Sequence, residues 1–223
     1  MKVIITGATG LVGEGVLMVC LNDPLVTEVL SISRKPLQVQ HAKLSELILT
    51  DFTAFKDQSD MLKDYDGCFF CAGVSSVGEN EESFTRKTYD FVVPFAETLV
   101  KILPKMTFIY VSGSRTDSTE HGKVMWARVK GRTENAIARL PFKAVYNFRP
   151  GFMRPVKGQH NVRWIYRTFD VLSPFWYLVL PDWICKMQEV GDAMIECVRN
   201  GYPKTILEVA DIKQQARKKN AAS

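Results

Sequence analysis

The sequence has no apolar run close to the ~20 residues needed to cross a bilayer, so we expect no transmembrane segment. No signal peptide is evident, because Met1-Lys2 leads directly into a predicted strand. The 5 cysteines lack the spacing of an extracellular disulfide framework, which favours a cytoplasmic protein. Internal repeats and obvious linkers are also missing, so the 223 residues are predicted to form a single domain, 1–223.

Short apolar or β-branched segments alternate with segments of helical periodicity. The predicted strands are Lys2–Thr6, Glu28–Ser33, Glu46–Leu49, Gly67–Cys71, Thr107–Ser112 and Ala144–Phe148. The predicted helices are Leu11–Asn22, Phe55–Lys63, Glu81–Ile102 and Lys123–Leu140. Strands and helices that alternate through short connections form a parallel sheet with helices on both faces. We therefore predict an α/β fold with a doubly wound parallel sheet.

Three glycines follow the first predicted strand and open the first predicted helix. Gly7 would let the chain turn sharply, Gly10 would let the backbone approach a phosphate, and Gly13 would let helix and strand pack closely. Free backbone N–H groups at the helix start would bind the pyrophosphate of a dinucleotide. The alternative is a flexible loop. The predicted contacts are Gly7, Thr9, Gly10, Leu11, Val12 and Gly13.

Two cations follow the second predicted strand, where a carboxylate would hold the adenosine ribose of NAD. The chain has Arg34 and Lys35 there, and the acid is absent. A guanidinium suits a ribose that carries a 2′-phosphate, because the two groups form charge-assisted bidentate hydrogen bonds. The sequence therefore favours NADP(H) over NAD(H). The alternative is a pair of solvated loop cations.

Two further strand ends are predicted to contact the cofactor. Asp51 could accept a hydrogen bond from the adenine amino group and Phe52 could flank the ring, although an ordinary loop acid explains Asp51 almost as well. Cys71, Ala72 and Gly73 end the fourth strand in small residues, over which a cofactor could pass. A plain tight turn is the alternative there. We assign no metal ligands.

Together these residues resemble the short-chain dehydrogenase/reductase superfamily, and in particular its small atypical, extended-type and epimerase/dehydratase-like members. The resemblance covers Met1 to about Ala216 and implies a Rossmann fold, a bound nicotinamide dinucleotide and, in typical members, a Ser/Tyr/Lys catalytic group. It also implies a minimal substrate-side region after the sheet. The motifs that carry it, in order, are the glycine loop, Arg34, Asp51-Phe52, Ala72-Gly73, Ser112-Gly113-Ser114, Lys130-Gly131 and Arg149-Pro150-Gly151. We expect Ser112, Lys130, Pro150 and Gly151 to contact the cofactor as well.

The catalytic half departs from this pattern, because Trp126 occupies the position of the usual tyrosine, four residues before Lys130. Four residues are about one helical turn, so both side chains would address the nicotinamide ribose. An indole has no acidic hydroxyl and cannot exchange a proton with a substrate carbonyl near neutral pH. Ser114 lies where the carbonyl-polarising serine falls, with Ser112 earlier on the same face. Either serine could instead be a polar strand end.

Other groups near the missing tyrosine give no convincing replacement. Tyr110 and Tyr146 lie in predicted strands, where a role in the core is expected. His121 and Lys123 come just before the helix. His121 could fold over the nicotinamide, but a surface histidine is the favoured interpretation.

The chain from 135 to 169 has no Asp or Glu and seven basic residues. This charge favours a small anionic substrate, although a solvated face is the alternative, and nucleic acid is not expected. Arg149, before Pro150, is expected to serve the fold. We predict a cap over 150–187, whose apolar part, Phe169–Trp183, could be a lid, a homodimer contact or a peripheral membrane contact. A flexible basic tail is predicted over 213–223.

Two classes of function remain open from the sequence. The first is an NADP(H)-dependent oxidoreductase or epimerase-like enzyme that uses a non-standard proton relay, which the retained Lys130 and Ser114 favour. The second is a non-catalytic NADP(H)-binding regulator or scaffold, which Trp126 favours.

Overall fold

Nine strands and six helices are present in the part of the chain that the computed structural model describes, residues 1–49, 62–162 and 183–221. The strands are β1 (Lys2–Thr6), β2 (Glu28–Ser33), β3 (Leu44–Ile48), β4 (Gly67–Phe70), β5 (Thr107–Val111), β6 (Ala144–Arg149), β7 (Phe152–Arg154), β8 (Ile184–Lys186) and β9 (Ile206–Glu208). The helices are α1 (Leu11–Asn22), α2 (Glu81–Lys87), α3 (Tyr89–Ile102), α4 (Met125–Ile137), α5 (Met187–Asn200) and α6 (Val209–Ala221).

Seven strands form one sheet in the order β3-β2-β1-β4-β5-β6-β9, and every neighbouring pair is parallel. Successive β1 side chains point to opposite faces, so Ile5 packs with α1, α5 and α6, whereas Ile4 packs with α3 and α4. Both faces of the central strands are therefore buried, as parallel sheets require. The predicted α/β fold with a doubly wound parallel sheet is confirmed.

The predicted helix Glu81–Ile102 is two helices, because Thr88 (φ −122°, ψ −76°) leaves the helical conformation between α2 and α3. The predicted strand Glu46–Leu49 begins two residues earlier, at Leu44. Most of the predicted helix Phe55–Lys63 lies outside the described residues.

The C-terminal region differs most from expectation. The tail predicted to be flexible from Lys213 belongs to α6 as far as Ala221, so that prediction is wrong for these residues. Lys219 is buried, and its Nζ lies 2.5 Å from Asp23 Oδ2 and 2.7 Å from Asp192 Oδ1. Although α6 is rich in basic residues, it also has an apolar stripe that packs on the core. The stripe consists of Val209, Ile212 and Ala216.

The predicted cap is described only in part. Its ends form a second, two-stranded parallel sheet of β7 and β8, and its apolar part lies outside the described residues except for Trp183. Over the residues described, no helix combines the length and the apolar character that crossing a membrane would require.

Candidate functional site

The glycine loop between β1 and α1 has a backbone that only glycine can supply at two points. Gly7 has φ +72°, and a Cβ there would lie 2.6 Å from the backbone of Ala72. A Cβ on Gly13 would overlap Gly7 O, so the start of α1 packs directly on the loop. The turn at Gly7 and the close packing at Gly13 that the sequence predicts are both found.

The first turn of α1 is open to an anion. Gly10 is the N-cap in an extended conformation, and no side chain caps the helix. A Cβ on Gly10 would meet only Gly7 O, at 3.4 Å, and Thr9 and Gly10 are exposed. The first N–H groups of a helix have no partner within the helix, and they lie at its positive end. Leu11 and Val12 supply two of these groups, so the loop fits a pyrophosphate.

A cavity of about 770 Å³ lies at the carboxyl edge of β1, β2 and β4. Eight of the predicted cofactor residues line it, contributed by three separate connections of the chain. They are Gly7, Thr9, Gly10, Arg34, Lys35, Cys71, Ala72 and Gly73. Ser33 also lines the cavity, and its Oγ donates to Lys35 O at 2.6 Å, which fixes the turn that presents the two cations.

Helix α2 adds lining residues that the sequence reasoning missed. Arg86 and Lys87, in its last turn, line the cavity together with Glu79. Lys87 Nζ pairs with Glu79 Oε1 at 2.6 Å, and Arg86 pairs with Glu82 on the exposed side of the helix. Both cations lie within the predicted helix Glu81–Ile102, and basic residues in a last helical turn are a stop signal that could have ended that helix at Lys87. Val74 and Phe91 complete the set.

The predicted adenine contacts Asp51 and Phe52 lie outside the described residues. Cys71 is half-buried at the cavity wall, and burial raises the pKa of its thiol to about 12. The thiol is therefore neutral at physiological pH and is a wall residue without nucleophilic character.

None of the predicted catalytic residues is among the described residues that line the cavity, since the two serines follow β5 and Trp126 and Lys130 lie on α4. Ser112 is buried and its Oγ donates to Glu134 Oε1 at 2.5 Å, so its hydroxyl is already engaged. Ser114 is half-buried, and its backbone N–H donates to Pro150 O at 3.0 Å. Of the two serines, Ser114 is the one whose hydroxyl is not committed to the buried network.

Lys130 and Trp126 lie one turn apart on α4, both half-buried. Lys130 Nζ donates to the carbonyl oxygen of Ser112, which ties α4 to the end of β5. Burial lowers the pKa of Lys130 to about 8, against an opposing effect of Glu134. The ammonium therefore lies directly beside the Ser112–Ser114 turn.

The wild type is expected to gain stability relative to a Lys130→Met variant as the pH rises from about 8 to about 10.5. Burial holds the pKa of Lys130 near 8 in the folded protein, against 10.5 for an exposed lysine. Between these values the unfolded chain binds more protons, so the free energy of unfolding rises with pH. Urea unfolding of both proteins across this range measures the difference. A difference that stays constant would contradict the burial of the ammonium.

Arg149 serves the fold, as expected. Its Nη2 lies 2.5 Å from Glu134 Oε2 and its Nε 3.0 Å from Glu134 Oε1, and the side chain of Glu134 is only 1% exposed. Arg149 also pairs with Glu208 at 3.3 Å and donates to Ser118 Oγ. This predicted member of the basic region is therefore unavailable to a substrate.

The other residues considered as proton donors in place of a tyrosine lie in strands or before α4, as the sequence predicts. Tyr110 is buried, which raises the pKa of its hydroxyl, and Tyr146 accepts from Tyr202 N at 2.9 Å. His121 and Lys123 are exposed before α4. Among the described residues, none of these four side chains forms a hydrogen bond with the turn that contains Ser114.

The start of the predicted cap is attached to α1. Gln159 Nε2 donates to Leu11 O at 2.5 Å, and the buried Glu14 carboxylate accepts from the N–H groups of His160 and Asn161. These contacts place the segment after β7 against the helix that opens the glycine loop. Gly151, which the sequence assigned to the cofactor, packs against Trp183 O, where a Cβ would overlap it.

Comparison with known proteins agrees with this geometry. The model of the NAD dependent epimerase/dehydratase family matches residues 3–122, more than half of the chain. Leucinostatins biosynthesis cluster protein T of Purpureocillium lilacinum is 29% identical over 143 residues, 63% of this chain and 52% of that protein. Protein FMP52, mitochondrial, of Meyerozyma guilliermondii is 25% identical over 154 residues, 69% of this chain and 65% of that protein. The matched region thus spans less than two thirds of either relative.

The sheet and its flanking helices are also found in solved structures. UDP-glucuronic acid 4-epimerase from Bacillus cereus, in complex with UDP-glucuronic acid and NAD, has a TM-score of 0.63 and 14% identity to this chain. The superposition covers 100% of this chain and 84% of the epimerase. At this identity the likeness shows a shared fold.

Proposed function

Because the chain belongs to the NAD-dependent epimerase/dehydratase family, within the short-chain dehydrogenase/reductase superfamily, we propose that it is an NADP(H)-binding oxidoreductase or epimerase-like enzyme acting on a small molecule. One observation carries this proposal: the cavity at the carboxyl edge of the sheet joins the glycine loop to Arg34 and Lys35. Ligands of doubly wound sheets bind at this edge.

The residues of the cavity fit a nicotinamide dinucleotide. The uncapped start of α1 and the open position at Gly10 would receive the pyrophosphate. Ala72 and Gly73 leave room for the cofactor to cross the end of β4. When bound, the nicotinamide supplies or accepts a hydride. That a protein of this fold has been solved with NAD supports the same class of cofactor here.

Among nicotinamide dinucleotides, the cations that line the cavity favour NADP(H) over NAD(H). Arg34 and Lys35 are exposed, and no carboxylate takes the place of the acid that would bind an unmodified ribose. Arg86 and Lys87 add positive charge from α2. Only Glu79 carries negative charge among the cavity-lining residues described, and its carboxylate is paired with Lys87. A 2′-phosphate would therefore enter a positive environment.

In the reaction, Ser114 would polarise a substrate carbonyl and Lys130 would donate to the nicotinamide ribose. The tyrosine position provides no standard group for proton transfer, because Trp126 offers one N–H donor and no exchangeable acid near neutral pH. The wild type is therefore proposed to be a slow carbonyl reductase, or to use a group supplied by its substrate.

We expect NADPH to bind at least about tenfold more tightly than NADH. Each charge-assisted hydrogen bond to the 2′-phosphate contributes about 1.5–3 kcal/mol, and tenfold corresponds to about 1.4 kcal/mol. Calorimetric titration of both cofactors measures the preference, and Arg34→Ala with Lys35→Ala should remove it.

The matched control is Lys101→Ala with Lys105→Ala, which removes two exposed cations at the opposite edge of the sheet. This control should keep the preference. Equal affinities in the wild type, or a preference that survives the loss of Arg34 and Lys35, would overturn the NADP(H) assignment.

A non-catalytic NADP(H)-binding regulator is the second candidate, and Trp126 at the tyrosine position is the observation that favours it. NADPH oxidation against a panel of aldehydes, ketones and quinones separates the two. Turnover above the no-protein rate supports the enzyme, whereas tight NADPH binding without turnover supports the regulator.

A further inference from the structure

Arg115, directly after Ser114, has a left-handed backbone with φ +65°. Residues with a Cβ adopt this conformation rarely, and glycine or asparagine is the usual choice where a turn needs it. Such a conformation persists only where its surroundings hold it, and it is concentrated at ligand-binding positions. Asp64 and Glu120 share this conformation, so the backbone of Arg115 gains weight only from its place directly after Ser114 and from the contact of its side chain.

The side chain of Arg115 stacks on an aromatic ring. Its guanidinium carbon lies 4.2 Å from the centroid of the Trp183 ring, and Trp183 is 42% exposed although it is large and apolar. Stacking uses the face of the guanidinium and leaves the N–H groups along its edge able to form a bidentate pair with a carboxylate or phosphate. The indole thus holds the guanidinium at a fixed place beside the turn after β5.

Both residues are anchored at the substrate end of the sheet. Trp183 O accepts from Phe152 N at 2.8 Å, which holds the indole beside the segment that follows β6. Ser114 N donates to Pro150 O, which holds the turn after β5 against the same segment. The guanidinium is therefore attached to the residue next to the serine that would polarise the carbonyl.

We propose that Arg115, supported by Trp183, binds the anionic group of the substrate, a carboxylate or phosphate close to the reacting carbonyl. This inference rests on the proposed function, because it identifies the substrate class of the same site. It assigns the recognition of the anion to the β5 turn, whereas the sequence pointed to the basic region after α4. Of that region, Arg149 is buried in its own ion pair.

The test follows the indole N–H resonance of Trp183 in the NADPH-saturated protein by two-dimensional ¹⁵N NMR, assigned with Trp183→Phe. The probes are pyruvate, inorganic phosphate and the neutral pyruvamide. Saturable shifts are expected with an anion and not with pyruvamide, and the tighter of the two anions identifies carboxylate or phosphate as the preferred group. Arg115→Gln should weaken that binding at least tenfold.

Two variants separate anion binding from packing. Arg115→Gly should lose the anion as completely as Arg115→Gln and be no less stable than the wild type, because glycine accepts φ +65° freely. Arg132 stacks on Tyr89 at 4.3 Å, so Arg132→Gln removes the same kind of contact elsewhere and should leave anion binding unchanged. No saturable shift in the wild type, equal binding of pyruvamide, or equal binding by Arg115→Gln would overturn the inference.

Calorimetric NADPH titration of the same proteins keeps the two proposals apart. If NADPH binds and the anions do not, the anion-site proposal is wrong and the proposed function is unaffected. If NADPH does not bind, the proposed function fails, and the same NMR titration without cofactor still decides whether Arg115 binds an anion.

Discussion

Replacing Trp126 by tyrosine is expected to raise NADPH-dependent carbonyl reduction by about 10²–10⁴-fold, the usual contribution of general acid catalysis. The new phenol would lie one helical turn before Lys130, whose ammonium lowers the pKa of a neighbouring hydroxyl. The affinity for NADPH should not change, because a group that acts only in the transition state alters kcat. Steady-state NADPH oxidation with one panel of carbonyl compounds measures the effect.

The gain should fall as the pH rises above about 8, because the pKa of Lys130 is lowered to about 8 and its charge is then lost. Trp126→Phe is the matched control. It also replaces the indole by a single six-membered ring but adds no hydroxyl, so the rate of carbonyl reduction should not rise. Brisk wild-type turnover that Trp126→Tyr abolishes would show that the indole belongs to a working site of another kind.

Arg149→Met is expected to lower the free energy of unfolding by about 3–5 kcal/mol, the typical cost of leaving a buried charge without its partner. Glu134 would keep its carboxylate in the interior, with a side chain only 1% exposed. At roughly 2–4 °C per kcal/mol for a chain of this size, the melting temperature should fall by about 10 °C. Thermal and urea unfolding measure both quantities.

The matched control is Arg86→Met, whose partner Glu82 is exposed and whose loss should cost less than about 1 kcal/mol. Adding Glu134→Leu to Arg149→Met should recover much of the lost stability, because the buried carboxylate left without its partner is then removed as well. If the single variant were as stable as the wild type, the carboxylate would have to be protonated or hydrated.

Local features of the chain were predictable where one residue type has one physical use. Gly7 and Gly13 were assigned correct backbone roles, since only glycine fits a positive φ or a Cβ-free contact. The parallel sheet was predictable from the alternation of apolar runs and helical segments, and six of its seven strands lie close to the expected positions. The missed strand, β9, is only three residues long and carries little periodicity.

Contacts between distant segments were not predictable in the same way. Ser112 could be a catalytic serine or a strand end, and its contacts with Glu134 on α4 and with Phe148 O show that its hydroxyl is engaged. Lys219 belongs to a stretch that is basic throughout, yet it is buried between Asp23 and Asp192. A charged side chain can be buried when the fold places an opposite charge beside it. The spacing of residues in the sequence does not show which distant residues will form such an ion pair.

The sequence by itself determined the order of strands and helices as far as β6, the glycine turn, the cations after β2 and the tryptophan at position 126, because these depend on neighbouring residues and their backbone preferences. The tertiary structure decided which cations remain available to a ligand. It buried Arg149 against Glu134, placed Arg86 of α2 among the residues that line the cavity, and stacked Arg115 on Trp183, 68 positions along the chain. Such pairings depend on how the strands order in the sheet, since residues far apart in sequence meet only where their strands end side by side.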